Sequence, residues 1–94
     1  MPAVHFDVRW PDGSVETCYS PSTIIKHYLE VGRVYPLADF VVSARAGLHA
    51  ASERVRDRYG SSCSLAMAQL ASIEAMVGRQ RVGTATVKIE RFDP

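Results

Sequence analysis

Cysteine is scarce: Cys18 and Cys63 are the two present in 94 residues. That is too few for a disulfide framework, and the pair lacks zinc-knuckle spacing, so reduced thiols are expected. No apolar run approaches the roughly 18 to 20 residues that cross a bilayer. The start Met1 to Phe6 has neither the basic head nor the apolar core of a signal peptide. A cytoplasmic protein with no membrane partner is the expectation. Neither sign of charge is in excess, and a formal charge of +1 gives no global attraction to nucleic acid. Any anion binding must therefore be local. The sequence also has no glycine-rich phosphate loop, no Ser/His/Asp context and no nucleic-acid motif, and nothing in it calls for a cofactor.

What is present suits an ordinary globular chain, 47% hydrophobic and 22% charged, of a length that supports a single domain over 1–94. From Val4 to Trp10 apolar residues alternate with His5, Asp7 and Arg9, the period of a strand with one buried face. Pro11-Asp12-Gly13 is turn chemistry, so Ser14 to Tyr19 should return as a hairpin. Val15, Thr17 and Tyr19 then share one face and Cys18 lies beside Glu16 on the other, unless a bulge intervenes. Ser20-Pro21 predicts a helix from an N-capping serine to about Glu30. Tyr35-Pro36 opens a longer helix, with Leu37, Phe40, Val41, Ala44, Leu48, Ala51, Val55 and Tyr59 as its stripe and Gly60 as its stop. A third helix begins at Ser61 or Ser62 and carries Cys63, Ala66, Met67, Leu70, Ile73 and Val77 on one side. Thr84 to Phe92 closes the chain as a strand beside the first. The expected fold is α+β, a three-stranded antiparallel sheet covered on one face by three helices in the order ββαααβ. The open sheet face would carry His5, Asp7, Arg9, Glu16 and Lys88.

Chemistry concentrates on the long helix. At about 100° per residue, Arg45, His49, Ser52 and Arg56 fall on one strip. Guanidinium forks on such a strip suit a phosphate or carboxylate, and the next helix start adds free N–H groups. Arg54 and Arg58 complete the basic segment. The same residues also fit a solvated helix end on which Glu53 and Asp57 pair with the arginines, with the Arg58 stem packed at the edge of the stripe. Cys63, near a helix start, and Cys18 are candidate reactive thiols, and both equally suit core filling. His5, His27 and His49 have no metal-ligand spacing with either cysteine, so no metal site is expected. Asp7, Glu16 and Glu90 are candidate paired carboxylates on the outer sheet face, but Arg9, Lys88 and Arg91 are present to neutralise them across strands.

In combination, Arg9-Trp10-Pro11-Asp12-Gly13, Cys18-Tyr19-Ser20-Pro21-Ser22, Tyr35-Pro36-Leu37, Ala51-Ser52-Glu53-Arg54-Val55-Arg56, Tyr59-Gly60 and Cys63 resemble a family of small bacterial nitrogen starvation response proteins along nearly their whole length. The resemblance implies a gene cluster with a nitrilase, a radical SAM enzyme, an acetyltransferase, a synthetase-like protein and a flavin oxidoreductase. It implies a place in nitrile or cyanide-related nitrogen metabolism and transfers no catalytic residue. Two functions follow as expectations. One is a non-catalytic accessory protein that binds a cluster enzyme or a small anion through the arginine helix, as a homodimer built on an open sheet edge or face. The other is a small cysteine-dependent enzyme using Cys18 or Cys63 with a histidine base.

Overall fold

The structure is a computed structural model that describes residues 3–60, 64–80 and 85–94. Strand β1 spans Val4–Arg9 and β2 spans Val15–Ser20. Between them Gly13 adopts a φ of 90°, and Asp12 Oδ1 accepts bonds from the Ser14 amide and hydroxyl at 2.9 and 2.6 Å. This Asx turn fixes the hairpin register that pairs Phe6 with Cys18 and Val8 with Glu16. A 3-10 turn covers Thr23–His27, a short strand β3 covers Val34–Pro36, and helix α1 runs over Leu37–Tyr59. Helix α2 over Ser64–Arg79 and strand β4 over Thr86–Asp93 complete the described elements.

The sheet is four-stranded and antiparallel in the order β2-β1-β4-β3. The expected three strands and three helices are thus corrected to four strands and two α-helices, within the same α+β class. Two local causes account for this. The predicted Ser20 to Glu30 helix collapses to a 3-10 turn capped by Ser22, whose hydroxyl accepts the Ile24 amide at 3.2 Å. Thr23, Ile24 and Ile25 are β-branched in succession, and so short a helix cannot offset its nucleation cost. The missed strand is Val34-Tyr35-Pro36. Proline holds the residue before it extended and is tolerated on an edge strand. Bonds from Gly32 N to Ile89 O at 2.7 Å and Leu37 N to Ala85 O at 3.2 Å flank the pairing.

The inward alternation of β1 places Val4, Phe6, Val8 and Trp10 in the core. Val87 and Ile89 of β4 join them, as expected. Strand β4 then breaks its alternation. Asp7 pairs with Arg91 but Val8 pairs with Ile89, which leaves Glu90 as the extra residue of a bulge and turns Phe92 back toward Phe6. From α1, Phe40, Ala44, Leu48 and Ala51 cover the sheet, with Ala66, Leu70 and Ile73 from α2. Trp10 meets Phe40 edge-to-face at 5.5 Å, and its indole N–H donates to Glu16 Oε1 at 3.0 Å. Glu16 therefore lies half-buried on the helix side of the sheet, not on the open face.

Gly47 lets α1 lie against the 3-10 turn. A Cβ added there would be 2.5 Å from Ile25 Cδ1 and 3.1 Å from Tyr28 Cβ. Gly60, with a φ of 84°, ends α1 by donating its amide to Arg56 O at 2.8 Å. Among the described residues, no helix is long and apolar enough to cross a membrane.

Leu48 is fully buried, so Leu48→Ala should lower unfolding free energy by about 2–5 kcal/mol in a denaturant titration. Gly47→Val should cost about 1–3 kcal/mol through overpacking against Ile25 and Tyr28, although valine is the better helix former.

Candidate functional site

Helix α1 is longer than the sheet it covers. Its 23 residues extend about 34 Å at 1.5 Å each, whereas the six-residue strands β1 and β2 extend about 20 Å. The C-terminal turns consequently project beyond the core. From Glu53 to Gly60 every residue is exposed except Val55, which is half-buried. Tyr59, expected on the packed stripe, is 63% exposed. Arg58, expected to pack its stem, is exposed as well.

The six candidate residues of this helix do not gather at one point. On the flank toward α2, Arg45 Nη2 meets Glu74 Oε2 at 2.7 Å, which commits that guanidinium to joining the two helices. Ser52 is buried. His49 is exposed between them, and Arg56 makes a loose pair with Glu53 at 3.8 Å. By helical rotation Arg54 and Arg58 fall on the other flank, and neither has an ion pair among the described residues. The projecting end is thus a rim of three exposed arginines around Tyr59. Glu53 and Asp57 are its acidic residues.

Cys18 is fully buried beneath the sheet, opposite Phe6. Burial pushes its thiol far above its ordinary value, with smaller contributions from the charges of Glu16 and Asp7. The inward turn of Cys18 follows from a hairpin register that keeps Val15, Thr17 and Tyr19 on the outer face. Cys63 lies outside the described residues. The histidines are dispersed: His5 packs edge-to-face on Tyr19 at 5.8 Å on the open sheet face, His27 is exposed at the end of the 3-10 turn, and His49 is on α1. Among the described residues, no group of three or more His, Cys, Asp or Glu could hold a metal ion.

The open face of the sheet is a charge lattice. Arg9 Nε donates to Glu90 Oε1 at 2.7 Å, Arg91 Nε to Asp7 Oδ2 at 3.0 Å, and the Thr17 hydroxyl to Asp7 Oδ1 at 2.7 Å. The Arg9 bond holds the Glu90 carboxyl below the usual carboxylate range. Asp7 and Glu90 are therefore neutralised by cross-strand cations rather than poised for acid–base work, and Glu16 is on the other side of the sheet. Sequence inspection missed the bulge that brings Arg91 to this face beside Glu90. Its signal was present in the spacing of Val87, Ile89 and Phe92, where an alternation of two lengthens to three.

Fold and site together define a small α+β protein with a buried thiol, a self-neutralised sheet face and a projecting basic helix end. A model of the nitrogen starvation-induced protein NitG family matches residues 5–92, and the chain belongs to that family. No match was found among curated proteins or solved structures.

In a Cys63→Ser background, Cys18 should resist alkylation under native conditions and label only at the rate of unfolding. Its raised folded pKa means that its contribution to stability is complete below the ordinary value of 9.0 and is lost as pH rises above it. Denaturant midpoints should accordingly fall on the alkaline side, and less so for Cys18→Ala measured against its own neutral-pH midpoint. Across the helix interface, Arg45→Ala and Glu74→Ala should show a coupling of about 0.2–1 kcal/mol in a double-mutant cycle, the range of part-exposed pairs.

Proposed function

We infer that this nitrogen starvation-induced protein acts by binding rather than by catalysis, as an accessory subunit for an enzyme encoded with it in a nitrilase gene cluster. The observation that carries this reading is the end of α1, where Arg54, Arg56, Arg58 and Tyr59 are all exposed. Arginine and tyrosine are the residues that dominate protein-binding energies. Planar guanidinium groups on either side of an aromatic ring fit an acidic, partly apolar surface on a partner protein better than a single small anion, because the arginines are spread over two flanks rather than converging. The burial of Cys18 weighs against its use as a nucleophile, since a catalytic thiolate requires access and a depressed pKa.

Binding assays with the purified enzymes of the cluster test the reading. A charge-reversed triple variant, Arg54→Glu, Arg56→Glu and Arg58→Glu, should lose at least tenfold in affinity for the enzyme that the wild type binds. Arg56→Ala alone should leave the melting temperature nearly unchanged, since its pair with Glu53 is exposed. Wild-type binding to none of the enzymes would overturn the assignment, as would undiminished binding by the triple variant.

A further inference from the structure

The two edges of the sheet are built differently. At one edge, β3 is three residues long and ends in Pro36, which has no N–H to offer. At the other, β2 is six residues long with the sequence VETCYS, and contains no proline, no lysine and no bulge in its pairing with β1. Such an edge is a template for another extended chain unless something blocks it.

The hydrogen bonds of the hairpin show which backbone groups point outward. Trp10 N donates to Ser14 O at 2.8 Å, so Ser14 faces β1, and by antiparallel alternation so do Glu16, Cys18 and Ser20. The amides of Val15, Thr17 and Tyr19 therefore point away from the sheet. That of Tyr19 is covered by Gln69 Oε1 of α2 at 2.9 Å. Those of Val15 and Thr17 have no partner among the described residues. Beside them lies a groove of about 440 Å³ between β2 and α2, lined by Glu16, Tyr19, Leu65, Ala68, Gln69 and Ser72. Exposed apolar side chains flank the edge on both faces, Val15 at 48% and Leu65 at 63%.

We propose that β2 pairs with β2 of a second copy of this chain across a two-fold axis at Thr17, joining two sheets into one of eight strands. The occupant is chosen by self-complementarity. With the axis at Thr17, the two Thr17 residues exchange their backbone bonds, and Val15 lies opposite Tyr19 of the second copy on the outer face. Glu16 is the one charged residue of the strand, already held by the Trp10 indole, and it falls opposite Cys18 of the second copy. An axis at Glu16 would instead set two carboxylates against each other. Pairing hands the Tyr19 amide from Gln69 Oε1 to the Val15 carbonyl of the second copy, and Gln69 leaves the strand edge. Leu65, Ala68, Gln69 and Ser72 of α2 line the groove beside β2, so the α2 helices of the two copies also approach each other across the axis. This interface is separate from the basic overhang of α1, so its failure leaves the binding role untouched.

Sedimentation equilibrium of the full chain tests the pairing. The wild type should sediment at twice the chain mass. Thr17→Lys, which sets like charges together on the axis, should sediment at the monomer mass with its far-ultraviolet circular dichroism retained. Val15→Lys, which sets a charge against Tyr19 of the second copy in both halves of the pairing and replaces a side chain without a hydrogen bond in the monomer, should likewise sediment at the monomer mass, and serves should Thr17→Lys lose its fold with the bond to Asp7. Val34→Lys on the opposite edge should remain a dimer. A wild-type chain at the monomer mass throughout its soluble range overturns the proposal. So does a dimer that survives Val15→Lys in folded form, or one abolished by Val34→Lys alone.

Discussion

Strand β1 begins the described chain and β4 ends it, yet they lie side by side at the centre of the sheet. Arg9 and Glu90, in direct contact, are 81 residues apart in sequence. The hairpin β1–β2 and the edge strand β3 have no pairing with each other and share one sheet because β4 stands between them. The loop-closure entropy of bringing β4 home must be met by what it buries. Val87 and Ile89 close the core against Val8 and Tyr35, and Phe92 meets Phe6. The helices cover a surface that does not exist until that pairing forms.

The same constraint orders the two faces. Inside, the alternation of β1 delivers four large apolar side chains, and the helices seal them with alanine, leucine and phenylalanine. Outside, the bulge in β4 places Glu90 and Arg91 on the same side, so that Arg9 and Asp7 each find an opposite charge. A face whose charges are satisfied internally offers little for an acidic or basic partner to gain. The surfaces that remain are those the packing leaves incomplete: the end of α1, which outruns the sheet, and the β2 edge, where Gln69 of α2 covers the Tyr19 amide. That contrast gives the functional proposals a common basis, because each rests on groups at an edge or end that the fold leaves exposed.

Much of this was readable in the chain. The alternation from Val4 to Trp10, the Pro11-Asp12-Gly13 turn, the helix stop at Gly60 and the return of the last strand beside the first all appear as expected, whereas the packed stripe of α1 ends at Ala51 and leaves Tyr59 exposed. The errors share a cause, too few residues for a period to declare itself. Three consecutive β-branched residues after Ser22 gave an apolar count resembling a helix but made a 3-10 turn. Val34 to Pro36 is too short to alternate, and its Tyr35-Pro36 reads as the opening of the helix that follows. Glu16 was assigned to the open face because an acidic side chain suggests water. The Trp10 indole, held over it from the neighbouring strand, supplies a partner that no local pattern reveals.

The candidate site divides along the same line. Sequence alone determined that arginines crowd the end of a long amphipathic helix, since helical rotation depends on spacing, and that net charge is near zero, since that is a count. Only tertiary structure decided which cations are already engaged. Arg45 is tied to Glu74 because α2 packs along that flank, Ser52 is buried for the same reason, and Arg54, Arg56 and Arg58 stay exposed because the helix continues after the sheet has ended. The lengths of two elements and the closeness of their packing set those outcomes, and both arise from contacts between residues that the chain keeps far apart.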